Sequence, residues 1–302
     1  MIKNIPSSAD FFTSGKELLD FAWDTVATLL TDLNESTNWG IEEAEVSSEY
    51  WFAARRKLTT ALAITQQGVE FILKGKIAEI SPYLLLADPP SRWPSPYEGC
   101  DIEFSEFKTA DAQDLIRLHD VVAASPLSST FTERFHSLRE KRNIISHSID
   151  KKLTVHTAEV LRAILAMHKA LLPSESWAKV RGEFIDTSPG AVLDGGDFST
   201  NIACRELETV LNLLTPAEVL EYFGFDKKQQ RYLCPECLYN ANKDTEFEHK
   251  LAVLKPKGAM STTLYCPVCD VTHAVVREDC PEESCPGNVI GDKYAVCLTC
   301  GC

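Results

Sequence analysis

Ala54-Arg55-Arg56-Lys57-Leu58-Thr59-Thr60-Ala61-Leu62-Ala63-Ile64-Thr65-Gln66-Gln67-Gly68-Val69-Glu70-Phe71-Ile72 places small or apolar residues at 54, 58, 61, 62, 65, 69 and 72. Steps of three and four keep side chains on one face of a helix with about 3.6 residues per turn. The stretch therefore predicts a long helix, over 48–80, with one buried stripe. Gly68 and Gly75 lower its helix propensity and open a route to close packing.

Working outward, Leu19, Ala22, Trp23, Val26, Leu30 and Leu33 predict a helix over 8–33, and the acidic, Gly40-containing 34–46 reads as a loop. Pro82, Pro89, Pro90, Pro94 and Pro96 make 82–99 irregular, because each proline fixes φ and removes a backbone donor. Thr109 is placed to cap a third helix carrying Leu115, Leu118 and Val122. Thr130-Phe131-Thr132-Glu133 has the capping-box pattern that opens a fourth. A fifth, over 155–172, is apolar on most sides and stops at Pro173. Short helices over 176–184 and 201–214 flank a turn-rich linker over 186–196, and Thr215-Pro216 opens another that ends at Gly224. The expected architecture is mainly α: a helical domain over 1–175 with its core at 48–172, a helical extension over 176–225, and a small β-rich module over 226–302.

A chain of 302 residues, 44% hydrophobic and 25% charged, can bury a sizeable core. Apolar runs such as 83–87 fall far short of the ~20 residues a membrane span needs. Residues 1–12 lack the basic start and apolar core of a signal peptide. The expectation is a cytoplasmic protein without membrane contact. The net charge of -14 excludes general adhesion to nucleic acid, so an RNA contact requires a local basic patch. The segment 131–160 is the candidate, with six Lys or Arg (134, 139, 141, 142, 151, 152) against four acids (133, 140, 150, 159).

Within that segment the stripe Phe131, Phe135, Leu138 leads to Arg142 and then Ile145, so the pattern wants an apolar residue and receives a guanidinium. An unpaired buried cation costs several kcal/mol, so Arg142 must meet an anion, a partner chain or water. Asn143 and His147, four apart, share a face, and the amide could orient the imidazole. Arg142 and His147, five apart, diverge by roughly 140° on an ideal helix. One chain cannot aim both at one substrate without a kink or a frayed end. By residue type alone, His147 would be a favourable charge at the negative pole of a helix, and the neighbouring cations a solvated edge.

The pattern R-N-x-x-x-H, as Arg142, Asn143 and His147 near a helix end in an all-helical domain, resembles the HEPN superfamily. Gln67-Gly68-Val69-Glu70-Phe71-Ile72-Leu73-Lys74-Gly75, followed by Leu84–Leu86, resembles the G-x-E-x-x-L-K segment of several of its members. The resemblance covers about 48–172. It implies a metal-independent endoribonuclease acting as a homodimer, with two copies of the motif meeting across a two-fold axis. His147 would exchange protons with the RNA 2'-hydroxyl or the leaving oxygen, Arg142 would hold the scissile phosphate, and Asn143 would set the imidazole or touch phosphate. The products would carry 2',3'-cyclic phosphate and 5'-hydroxyl ends, with no metal at the chemistry. A toxin or anti-phage effector cleaving tRNA or other RNA fits that class. The alternative is a non-catalytic interaction or nucleotide-binding protein whose 226–302 module recruits a protein partner.

Nine of the eleven cysteines lie between Cys234 and Cys302, leaving Cys100 and Cys204 alone. Cys234-Pro235-Glu236-Cys237 and Cys266-Pro267-Val268-Cys269 each present two thiolates from a tight turn, and four thiolates suit tetrahedral zinc. Cys280, Cys285, Cys297 and Cys300 form a second set. We expect two zinc ribbons with strands at 251–254 and 262–265, each holding one structural zinc ion. Cys302 could replace Cys300, and His249 or His273 could enter a site. The segment 226–302 has nine Lys or Arg against eleven Asp or Glu, which disfavours nonspecific RNA binding and leaves open protein contact, dimerisation or recognition of a substrate end.

Overall fold

The computed structural model describes residues 1–36, 40–41, 43–95, 101–147, 153–195, 198–241 and 247–302. The chain divides into two units, one formed by Met1–Leu29 and Gly40–Leu172, the other by Leu30–Trp39 and Pro173–Cys302. Ten helices among the described residues make it mainly α, followed by a β-rich cysteine module.

The predicted long helix is α2 (Glu43–Ala78), and every residue of its stripe is buried, Ala54 and Leu58 through Ile72. Thr65 belongs there because its hydroxyl donates to the Ala61 carbonyl at 2.8 Å, which satisfies a polar atom away from water. Around α2 pack α3 (Ala112–Val122), α4 (Ser129–His147) and α5 (Thr157–Leu171). α4 supplies Phe131, Phe135 and Leu138 to this core, and α5 supplies Val160, Leu161, Ile164 and Leu165.

α1 (Ser8–Glu35) starts at a reciprocal cap in which Ser7 Oγ accepts from the Asp10 backbone at 3.2 Å and Asp10 accepts from the Ser7 backbone at 2.8 Å. It crosses α2 where both helices carry glycine. A Cβ on Gly68 would lie 2.9 Å from the Gly15 carbonyl oxygen, and one on Gly15 would lie 2.6 Å from Ile72 Cγ1. A short parallel pair, β1 (Ile2–Lys3) with β2 (Ile102–Glu103), was not foreseen, since two-residue strands have no readable period.

Several helix starts differ from the sequence reading. Asp111, not Thr109, stands at the N-cap of α3. Ser128 caps α4 by accepting from the Phe131 backbone at 3.1 Å, so Thr130 lies inside the helix. The helix thus begins two residues earlier than the Thr130–Glu133 pattern suggests.

In the second unit, α6 (Trp177–Asp186) packs on α8 (Ser199–Leu213), and between them the predicted turn-rich linker contains a helix, α7 (Pro189–Asp194). Its signals are local: Ser188 caps it, Pro189 opens it, and Gly195 at φ 72° ends it. α9 (Pro216–Phe223) has the expected Thr215 cap, completed by Glu218, and stops at Gly224. The residues read as an extension therefore fall in the same unit as the cysteine module.

That module is one antiparallel meander, β3 (Tyr232–Leu233), β4 (Lys250–Leu254), β5 (Thr263–Cys266), β6 (Val271–Val276), β7 (Ile290–Gly291) and β8 (Val296–Cys297), in that order. The predicted strands correspond to β4 and β5. β6 pairs with β5 through 271–274 and with β7 through 275–276, so the two ribbons share a strand.

Candidate metal centres and a polar cleft at Arg142

Each cysteine set converges. Cys234, Cys237, Cys266 and Cys269 place their four sulfurs within 4.8 Å of one another, as do Cys280, Cys285, Cys297 and Cys300. A metal held tetrahedrally by four sulfurs at ~2.3 Å requires sulfur separations of about 3.8 Å. The separations are 3.7 Å for Cys234 to Cys269, 3.8 Å for Cys237 to Cys266, 3.7 Å for Cys280 to Cys300 and 3.9 Å for Cys285 to Cys297. A disulfide would need ~2.05 Å. The two sets can therefore hold two metal ions, with a donor set and spacing consistent with zinc.

Local backbone explains how the turns present the sulfurs. Cys234 precedes α10 (Pro235–Asn240), and its sulfur accepts from the Cys237 backbone at 3.5 Å. The chain leaves two of the turns in the left-handed region, at Asp270 (φ 55°) after Cys269 and at Gly301 (φ 88°) after Cys300. In the second set the Cys302 backbone holds the Cys300 thiol down at about 7.

Four sulfurs this close cannot all ionise without a cation. Cys234 is drawn down to about 6, chiefly by Cys237, while Cys204 and Cys234 drive Cys237 far up. A bound dication removes that conflict by stabilising every thiolate. Cys204, isolated in the sequence, thus lies against the first set without joining it.

His273 stands outside the four sulfurs, with Nε2 3.4 Å from Cys234 and 3.6 Å from Cys269. Contact with those two sulfurs raises its pKa. His249 pairs with Glu208 at 2.8 Å, away from both sets. Cys302 is exposed and contributes its carbonyl to the Cys297 backbone at 2.7 Å. Cys100 lies outside the described residues.

In the first unit the stripe of α4 stops being buried after Leu138, and Arg142 and Ile145 are half-buried. Arg142 faces a cleft of about 270 Å³ lined also by Gln66, Glu70, Asp111, Arg139 and Asn143. Its Nη1 donates to Asn143 Oδ1 at 3.2 Å, so the amide is engaged with the arginine. Glu70 pairs with Lys74 at 3.1 Å. Two buried donors at the cleft, Gln66 Nε2 and Arg139 Nε, have no partner within the protein. Lys141 does not belong to a solvated basic edge, because it forms an ion pair with Glu159 of α5. Asp150, Lys151 and Lys152 lie outside the described residues.

His147 is exposed at the last residue of α4 and does not line the cleft. The structure therefore gathers Arg142 and Asn143 and leaves His147 apart within one chain. Gln66 and Asp111 were missed by sequence reading, and Arg139 appeared there only as one cation of the basic segment. The spacing from Gln66 to Glu70 and from Arg139 to Arg142 puts each pair on one helix face, but only packing decides that these faces meet.

No helix among the described residues is long and apolar enough to cross a membrane. Compared with family models, with curated proteins and with solved structures, the chain matches none.

Proposed function

We propose that the protein is a metal-independent endoribonuclease of HEPN type that acts as a homodimer, with two structural zinc ions in its C-terminal module. The observation that carries this reading is the convergence of two separate stretches on one cleft. Glu70, from the G-x-E-x-x-L-K-like segment of α2, and Arg142-Asn143, from the R-N-x-x-x-H stretch of α4, line the same cavity. Arg139 and Arg142 line it and offer donors for a scissile phosphate.

The exposed His147 of one chain is then presented to the cleft of a second. His147 takes the proton of the RNA 2'-hydroxyl as the 2'-oxygen bonds to phosphorus, and the bond to the 5'-oxygen breaks. The second copy's imidazole returns a proton to that oxygen. The balance leaves a 2',3'-cyclic phosphate and a 5'-hydroxyl.

The test uses zinc-loaded protein without added divalent metal, incubated with mixed RNA. His147→Ala is expected to lower cleavage by about 10²–10⁴-fold, and Arg142→Ala by about 10²–10³-fold. Each should change unfolding free energy by no more than ~0.5 kcal/mol, since both sites are partly solvated. Growth arrest on expression, relieved by either substitution, would place the activity in a toxin or defence setting. The second reading, a non-catalytic nucleotide- or partner-binding protein, is favoured by the position of His147 outside the cleft. Wild type that is folded and dimeric yet leaves every RNA intact would select it.

A further inference from the structure

The two cysteine sets differ in how far solvent reaches them. In the first, Cys234, Cys237 and Cys266 are buried and Cys269 is half-buried. In the second, Cys297 is buried, Cys280 and Cys285 are half-buried, and Cys300 is exposed. Cys302, exposed as well, stands beside this open corner without being one of the four sulfurs that converge.

The backbone pins Cys302 against the exposed corner. Gly301 donates its N–H to the Cys297 carbonyl at 2.7 Å, and the Cys302 carbonyl accepts from the Cys297 N–H, also at 2.7 Å. Between them Gly301, at φ 88°, makes a left-handed turn that a residue with a side chain rarely adopts. The Cys302 N–H donates to the Cys300 sulfur, and the Cys300 thiol in turn pushes the Cys302 thiol up, so the two side chains interact directly. Cα atoms two residues apart are separated by no more than ~7 Å, so a disulfide between them needs at most a small bend of the chain. A metal-bound sulfur is a thiolate outright. An accessible thiolate with a second thiol at hand is the arrangement in which oxidation ends in a disulfide.

We propose that Cys300 and Cys302 form a peroxide oxidation site, in which Cys302 resolves the oxidised Cys300 and the second set gives up its ion. The Cys300 thiolate attacks one oxygen of hydrogen peroxide and the O–O bond breaks. The sulfur is oxidised to a sulfenic acid, and the other oxygen leaves as hydroxide, which takes a proton from solvent. The Cys302 sulfur then attacks the Cys300 sulfur, its proton and the sulfenic hydroxyl leave as water, and an S–S bond forms. One peroxide is reduced to two waters, and two sulfurs are oxidised to one disulfide. Three sulfurs remain at the second set and hold an ion more weakly than four. Cys280, 3.7 Å from Cys300, is the competing sulfur, but it belongs to the set, whereas Cys302 stands outside it. The inference rests on the zinc reading of the second set and is independent of the Arg142 cleft and of the ribonuclease reading.

The experiment treats the full-length, zinc-loaded protein with hydrogen peroxide, follows zinc release with a chromogenic chelator, and maps disulfides by peptide mass spectrometry. Wild type is expected to release one of its two zinc ions, to keep the first set reduced, and to carry a Cys300–Cys302 disulfide. A thiol reductant with added zinc should then restore the full metal content. Cys302→Ser keeps all eight converging cysteines and should load with zinc as wild type does. Without its resolving thiol, Cys300 passes on to the sulfinic acid, so reductant no longer restores the lost ion. Metal content before peroxide tests the zinc reading separately, because the Cys300–Cys302 disulfide is read whether or not the set holds an ion. A Cys280–Cys300 disulfide in wild type overturns the proposal. So does a second set that stays reduced under peroxide, or zinc recovery in Cys302→Ser equal to that of wild type.

Discussion

At the scale of single residues, the second unit holds a buried ion pair whose value depends on keeping both partners. Arg181 of α6 donates from Nε and Nη2 to the two oxygens of Glu206 of α8, at 2.9 and 2.8 Å, and both side chains are less than a tenth exposed. Such a bidentate pair recovers part of what two charges lose on leaving water, and the loss of one partner strands the other. Glu206→Ala should destabilise the protein by ~3–5 kcal/mol in chemical denaturation. The double replacement Arg181→Met with Glu206→Leu should cost far less, since it leaves no buried charge. Equal losses in the two variants would show that packing, not stranded charge, sets the energy.

Among the elements, α1 makes two predictions. Ser7 and Asp10 cap its first turn, and the hydrogen bonds from the Ser7 side chain and then its backbone hold the Asp10 carboxyl below the usual carboxylate range. A lowered folded pKa means the contribution is complete above the unfolded value of about 3.9 and is lost as pH falls through the folded one. The stability gap between wild type and Asp10→Asn should therefore shrink on acidification, and a carboxyl NMR titration of Asp10 should show the low midpoint. At the α1–α2 crossing, Gly68→Ala gains helix propensity of ~1 kcal/mol but drives a methyl into the Gly15 carbonyl. Backbone cannot yield as a side chain does, so a net loss of ~1–2 kcal/mol is expected from thermal or denaturant unfolding. A stabilised Gly68→Ala protein would mean that the helices are free to separate.

For the whole molecule, the cysteine module is expected to depend on metal ions held by its two sulfur sets. The core of its sheet is thin, built from Leu251–Leu254, Leu264, Val275, Val289 and Leu298. Metal binding by eight thiolates would then contribute directly to folding. Elemental analysis should find two zinc ions per chain, and removing them with a strong chelator should abolish the protected amides of β3–β8 in hydrogen exchange. Retention of that protection without metal would show that the sheet stands on apolar packing alone. The proposed reaction needs two copies of the chain, so light scattering is expected to give a dimer, and a monomer under all conditions would overturn that proposal.

The sequence alone determined the helices with strong periods and the two cysteine sets. The 54–72 stripe is buried as read, and eight cysteines fall into two fours, because helical period and short turn spacing are local properties that neighbours in the chain impose. Helix starts were less legible where several hydroxyl or acidic residues compete, as Ser128 does with Thr130 and Asp111 with Thr109. Tertiary structure decided which helix faces meet. It brought Gln66 and Glu70 opposite Arg139 and Arg142, left His147 outside that cleft, and set His273 beside the sulfurs of Cys234 and Cys269. Those outcomes rest on contacts between residues distant in sequence, where the energy of packing and of satisfying buried polar groups outweighs any local preference.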